Sequence, residues 1–141
     1  MAVLEGACGD KSYNVLDYGA VGNGIADDTQ AFLKAWAALC ADPGPNVNMF
    51  IPAKKTFLLR PLVFQGPCKA RPVSVQVLGN IVGPNNIQGW GSVGYWLNFH
   101  SVNGLRISGN GHIGGQGAIW WNCKVKRNCY LLLLLLLQGV N

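Results

Sequence analysis

Two adjacent carboxylates, Asp27 and Asp28, are the first residues in this chain whose types and spacing could do chemistry. Paired carboxylates serve acid–base hydrolysis, one acid protonating a leaving oxygen while a second carboxylate activates water. These two stand directly before Thr29 and an apolar periodic stretch, where Asp and Thr are N-cap types and first-turn acids suit the helix dipole. They therefore read as a helix cap and not as a catalytic pair. The two imidazoles, His100 and His112, have no acid close in sequence, the nearest upstream being Asp42, so no His–carboxylate dyad is expected. The glycines Gly19, Gly22 and Gly24 run G-x-x-G-x-G, which is not the dinucleotide fingerprint, and two acids would sit where a pyrophosphate should lie.

The thiols are Cys8, Cys40, Cys68, Cys123 and Cys129. They contain no C-x-x-C pair and have only two histidines to join them, so no zinc or other metal site is expected. Counting alone leaves buried free thiols and one or two disulfides equally open. Lys54, Lys55, Arg60, Lys69 and Arg71 lie near Phe57 and Phe64 but form neither a stripe nor a known nucleic-acid module. They read as solvated bases or as attraction to an acidic polysaccharide, with no nucleic-acid partner and no cofactor.

The elements that must position these groups are short. Residues 13–18 (YNVLDY) read as a strand and Gly19–Gly24 as a glycine turn. From Thr29 to Ala41 the apolar positions make one wide helical face, and Asp42-Pro43-Gly44-Pro45 stops it. Beyond that point come strand-like pieces at Met49–Ile51, Thr56–Leu59, Leu62–Phe64, Val73–Leu78, Ile81–Val82, Tyr95–Phe99, Leu105–Ser108 and His112–Ile113. Glycine and proline punctuate them, and a loop rich in Gly, Asn and Trp fills Pro84–Gly94. Strands this short and this closely spaced suit the coils of a solenoid better than a sandwich.

The whole chain has 141 residues, half of them apolar and only 12% charged, which fits one β-rich globular unit and excludes a disordered tail or coiled coil. The net charge of +5 is unevenly split. Residues 1–42 carry all six acids and a balance of −4, whereas residues 43–141 carry nine bases and no carboxylate side chain. That asymmetry points to a polyanionic partner or to a chain that is a piece of something larger. No signal peptide is read at Met1–Asp10. The seven leucines Leu131–Leu137 are too few to span a bilayer, so no membrane span is expected.

DYGAVGNGIADDTQAFLKAWAALC resembles the N-terminal block of plant polygalacturonases, the family 28 glycoside hydrolases. IPAKKTFLLRPLVFQGPCK, VSVQVLGNIVGP and WLNFHSVNGLRISGNGHIGGQGAIWWNC follow in that family's order, so that the likeness covers about Tyr13–Cys123. The resemblance implies an all-β chain, a right-handed parallel β-helix (a pectin-lyase-like solenoid), of which only the N-terminal coils are present, capped by the Thr29–Ala41 helix. It implies inverting hydrolysis of α-1,4-galacturonan, the polyanion of pectin, by a secreted plant cell-wall enzyme. In the family, catalytic motifs Asn-Thr-Asp, Asp-Asp, Gly-His-Gly and Arg-Ile-Lys follow in that order. None occurs here: Gly111-His112-Ile113 is not Gly-His-Gly, Arg106-Ile107-Ser108 is not Arg-Ile-Lys, and Asp27-Asp28 matches the helix-opening acids.

The organisation expected on this basis is an N-terminal extension over residues 1–12, the first part of a β-helix domain over 13–123, and a tail outside the family over 124–141. That tail reads as translated intron or frameshifted sequence. No catalytic residue is expected in the chain and its substrate-binding residues are not assigned. If the protein is secreted, Cys40 at the end of the capping helix pairs with Cys68 in the coil it covers, while Cys123 and Cys129 lack native partners. The intact protein is expected to be monomeric and this piece to be aggregation-prone. The rival reading is a non-catalytic pectin-binding or interaction module.

Overall fold

The computed structural model describes residues 11–70, 72–84 and 96–114. Its first strand, β1, runs Lys11–Asn14 and starts two residues before the expected domain boundary. The strand expected to continue to Tyr18 gives way instead to a 3-10 turn at Val15–Tyr18. The side chain of Asn14 causes this, because its carbonyl accepts from the Leu16 amide at 2.9 Å and so draws the backbone out of the extended state. Gly19, in the left-handed region, closes the turn.

Part of the expected glycine turn is strand. β2 runs Asn23–Asp27 and leads into α1 at Thr29–Ala41, the helix read from the sequence. Eight more strands follow: β3 Val47–Ile51, β4 Thr56–Leu58, β5 Leu62–Gln65, β6 Val73–Val77, β7 Asn80–Val82, β8 Leu97–His100, β9 Leu105–Ser108 and β10 His112–Gly114. The loop read over Pro84–Gly94 lies, but for Pro84, outside the described residues.

Every pairing between these strands is parallel. Three sheets form, in the orders β1-β3-β6-β9, β10-β7-β4-β2 and β5-β8. Each strand pairs with the strand about one coil later, so β3, β4 and β5 make one full coil and β6, β7 and β8 the next. This is a parallel β-helix with one helix in its first coil, as the resemblance implies.

Alternation within each strand decides which side chains fill the interior. β3 and β6 bury every second residue, and the register stacks Met49 on Val75 and Ile51 on Val77. The second sheet stacks Phe57, Ile81 and Ile113, and the third stacks Leu62 on Leu97 and Phe64 on Phe99. Stacking apolar residue on apolar residue, alike in the third sheet and mixed in the other two, fills the interior coil upon coil with no strict sequence repeat.

At the corner between the first two sheets the coils approach closely. A Cβ on Gly79 would lie 2.3 Å from the carbonyl oxygen of Pro52, and one on Gly109 would lie 2.0 Å from that of Val77. Gly109 also has a φ of 111°, so both space and backbone demand glycine there.

Helix α1 takes the third-strand place in the first coil and plugs the interior. Phe32, Ala35, Trp36 and Leu39 are buried, and Phe32 meets Phe57 edge-on at 5.5 Å. Trp36 lies 5.2 Å from Phe64 and 5.7 Å from Phe99, so that one helix residue touches two coils. Its indole nitrogen donates to the Gln65 carbonyl at 3.1 Å. Cys40 and Cys68 are joined by a disulfide, and the residues between them include all of β3, β4 and β5.

Candidate functional site

Asp27 and Asp28 stand at the start of α1, and the structure shows how both are used. Asp28 holds the N-cap position but makes no side-chain bond to the helix amides. Its carboxylate, 2% exposed, turns back and accepts from the Val21 amide at 2.8 Å and the Gly22 amide at 3.1 Å. The cap expected from the sequence is therefore a clamp on the preceding glycine loop, whose amides it gathers onto one carboxylate. Asp27 accepts from the amide of Thr29 at 3.0 Å and from its hydroxyl. Arg60 approaches Asp27 at 3.7 Å, and the Arg60 amide donates to the Thr29 hydroxyl oxygen at 2.9 Å. Both acids thus tie α1 to its neighbours.

Asp42 closes the other end of α1. It accepts from the Tyr13 hydroxyl and from the Gly44 amide, and Lys11 lies 3.3 Å away. The hydrogen bond from Tyr13, helped by Gly44 and Lys11, holds this carboxyl below its ordinary 3.8. The same bond, with burial and the negative charge behind it, pushes the Tyr13 phenol up to about 12. Asp17 lies exposed in the 3-10 turn, and Glu5 and Asp10 lie outside the described residues. No described carboxylate stands free on a sheet facing a second one, the arrangement that inverting hydrolysis requires.

His100 projects from β8, exposed. Its Nδ1 lies 3.0 Å from the Gln65 side-chain nitrogen and 3.1 Å from the Ser101 hydroxyl. His112 is exposed at the start of β10. The two stand on different sheets and do not form a pair. Among the described residues no group of three metal-ligating side chains occurs.

The basic residues are not brought together. Lys54 and Lys55 occupy the β3–β4 corner, Arg60 the β4–β5 corner, and Lys69 lies between β5 and β6. They ring one coil on different sides. Arg71, and Cys8, Cys123 and Cys129, lie outside the described residues, as does the tail over 124–141.

The outer face of the β1-β3-β6-β9 sheet carries what the sequence reading missed. Ser12, Asn48, Ser74 and Arg106 share one rung of the register, and Gln76 and Ser108 share the next. They line an open groove of about 540 Å³ with Asn46 and Pro72 at its side. The Asn48 amide donates to Gln76 at 3.2 Å and to Ser12 at 3.4 Å, which makes a continuous polar ladder. The signal lies in the alternation of VNMFI, VSVQV and LRIS, whose outward positions are mostly polar.

The sequence profile described as glycosyl hydrolases family 28 matches residues 40–131. The chain belongs to this family. Family 28 membership agrees with its relatives: the chain is 48% identical over 119 residues to a probable polygalacturonase of Arabidopsis thaliana, covering 82% of this chain and 26% of that protein. It is 44% identical to a polygalacturonase of Prunus persica, covering 80% of this chain and 28% of that protein. This family 28 chain thus spans about a quarter of the length of the curated relatives it matches. A crystal structure of a glycosyl hydrolase, described as putative, from Parabacteroides merdae superposes with a TM-score of 0.62 at 14% identity, over 84% of this chain and 50% of that one. At that identity the likeness speaks for the fold alone.

Proposed function

We propose that this chain is the N-terminal cap and first coils of a polygalacturonase that hydrolyses the α-1,4-galacturonan of pectin with inversion. The observation that carries the reading is the 48% identity to a probable polygalacturonase across 82% of the chain. In this reading the chain itself supplies no catalytic group, because Asp27, Asp28 and Asp42 are all engaged in holding α1. Its contribution is a closed, plugged end from which later coils can stack in register. The Cys40–Cys68 disulfide supports an extracellular, cell-wall location, since such bonds persist in oxidising compartments.

A reducing-end assay on polygalacturonate tests this. The purified chain should release no reducing ends above a heat-killed control, yet should be retarded in a gel containing polygalacturonate at low salt. Sustained turnover, abolished by Asp27→Asn with Asp28→Asn, would reassign that pair to catalysis. Retardation by a neutral galactan and not by polygalacturonate would overturn the substrate class.

A further inference from the structure

We propose that the outer face of the β1-β3-β6-β9 sheet is a docking groove for an acidic oligosaccharide, the chain lying across the strands along the solenoid. The proposal rests on the pectin reading above and adds a place on the molecule. Four observations carry it.

The groove is long enough. Three steps between four paired strands at ~4.8 Å span roughly 14 Å, room for a few pyranose rings laid end to end. Its lining repeats the chemistry that sugars present. Ser12, Asn48, Ser74, Gln76 and Ser108 offer hydroxyls and amides that both donate and accept, matched to ring hydroxyls. Its charge has one sign. Arg106 lies among these neutral groups, no carboxylate lines the groove, and no ion pair engages Arg106 among the described residues. A guanidinium offers a planar fork that matches a uronate carboxylate bidentately, which a neutral sugar cannot use.

The fourth observation is the contrast with the other described arginine and with Lys11. Arg60 faces Asp27 and Lys11 faces Asp42, so their charge is answered within the protein. Arg106 is exposed in the middle of β9, on the same rung as Ser74, Asn48 and Ser12. A uronate seated on Arg106 would therefore have its neighbouring sugars over the Ser74 and Asn48 positions. The partner is a polyuronate segment of a few residues, held weakly and in a salt-sensitive way.

The test uses the complete 141-residue chain in affinity electrophoresis through polygalacturonate, with each variant's thermal melt as a folding check. Arg106→Glu should weaken retardation about tenfold in apparent affinity, the loss of one charge-assisted contact. Arg106→Lys should keep part of it, and Gln76→Ala should weaken it less. Lys54→Glu with Lys55→Glu removes more positive charge but lies at a corner off the groove, so it should leave retardation near the parent value. If Arg106→Glu binds like the parent while the parent still binds polygalacturonate, the groove is wrong and the pectin reading stands. If the lysine pair weakens binding as much as Arg106→Glu, net charge alone is responsible and the groove is again wrong. If the parent binds another polyanion such as polyglutamate through Arg106 but not polygalacturonate, the groove stands as an anion site and the pectin reading fails. If nothing binds, the proposal is overturned.

Discussion

At the scale of single residues, the acids of this chain are structural devices with testable costs. Asp28 accepts from two backbone amides while buried. Asp28→Ala removes the charged acceptor of two hydrogen bonds and should destabilise the chain by about 2–3 kcal/mol, whereas Asp28→Asn, which keeps one acceptor oxygen, should cost less. Urea midpoints of the two variants check the order. The Tyr13–Asp42 pair predicts a pH dependence with a definite sign. The fold holds the Tyr13 proton more tightly than the unfolded chain does. Its contribution is whole below pH 10.0 and is lost as pH climbs towards about 12. Asp42 is depressed, so its contribution is present above about 3.8 and disappears as pH falls below that value. Tyr13→Phe should remove the alkaline loss above pH 10.0 and reduce the acid one, read as melting temperature against pH.

At the scale of elements, α1 is the part on which the others depend. Trp36 meets rings from two coils and donates to Gln65. Trp36→Ala should cost about 3–5 kcal/mol and lower the cooperativity of the melt by uncoupling the plug. The disulfide closes a loop of 28 residues, so replacing Cys40 and Cys68 together by alanine should cost about 3–4 kcal/mol in the chain-entropy estimate. The helix and most strands were legible because their signals are local: one apolar face for α1, alternation for β3 and β6. β2 was not legible, because NGIAD has glycine and asparagine where a strand wants β-formers and is held extended by pairing with β4, 33 residues on from Asn23 to Thr56. The 3-10 turn escaped notice because Asn14 acts through a side-chain bond that no periodicity records. The candidate groove escaped notice because its members come from four strands, and only the register makes them neighbours.

At the scale of the whole molecule, the charge asymmetry now has a spatial meaning. The described acids cluster in the turn and around α1, at the plugged end, while the later coils carry only bases. A polyanion should therefore approach along the coils, and the rate of association should fall with ionic strength. Stopped-flow measurements at two salt concentrations check that. The disulfide carries a mechanical consequence as well. Since β3, β4 and β5 all lie between Cys40 and Cys68, one complete coil is a covalently closed loop stacked between its neighbours. Pulled from its two ends, the oxidised protein should yield a contour length shorter by about 95 Å than the reduced one, because the 28-residue segment bears no load. Tension would then travel from α1 straight to Cys68 and bypass that coil, which would come free under load only after the sulfurs part.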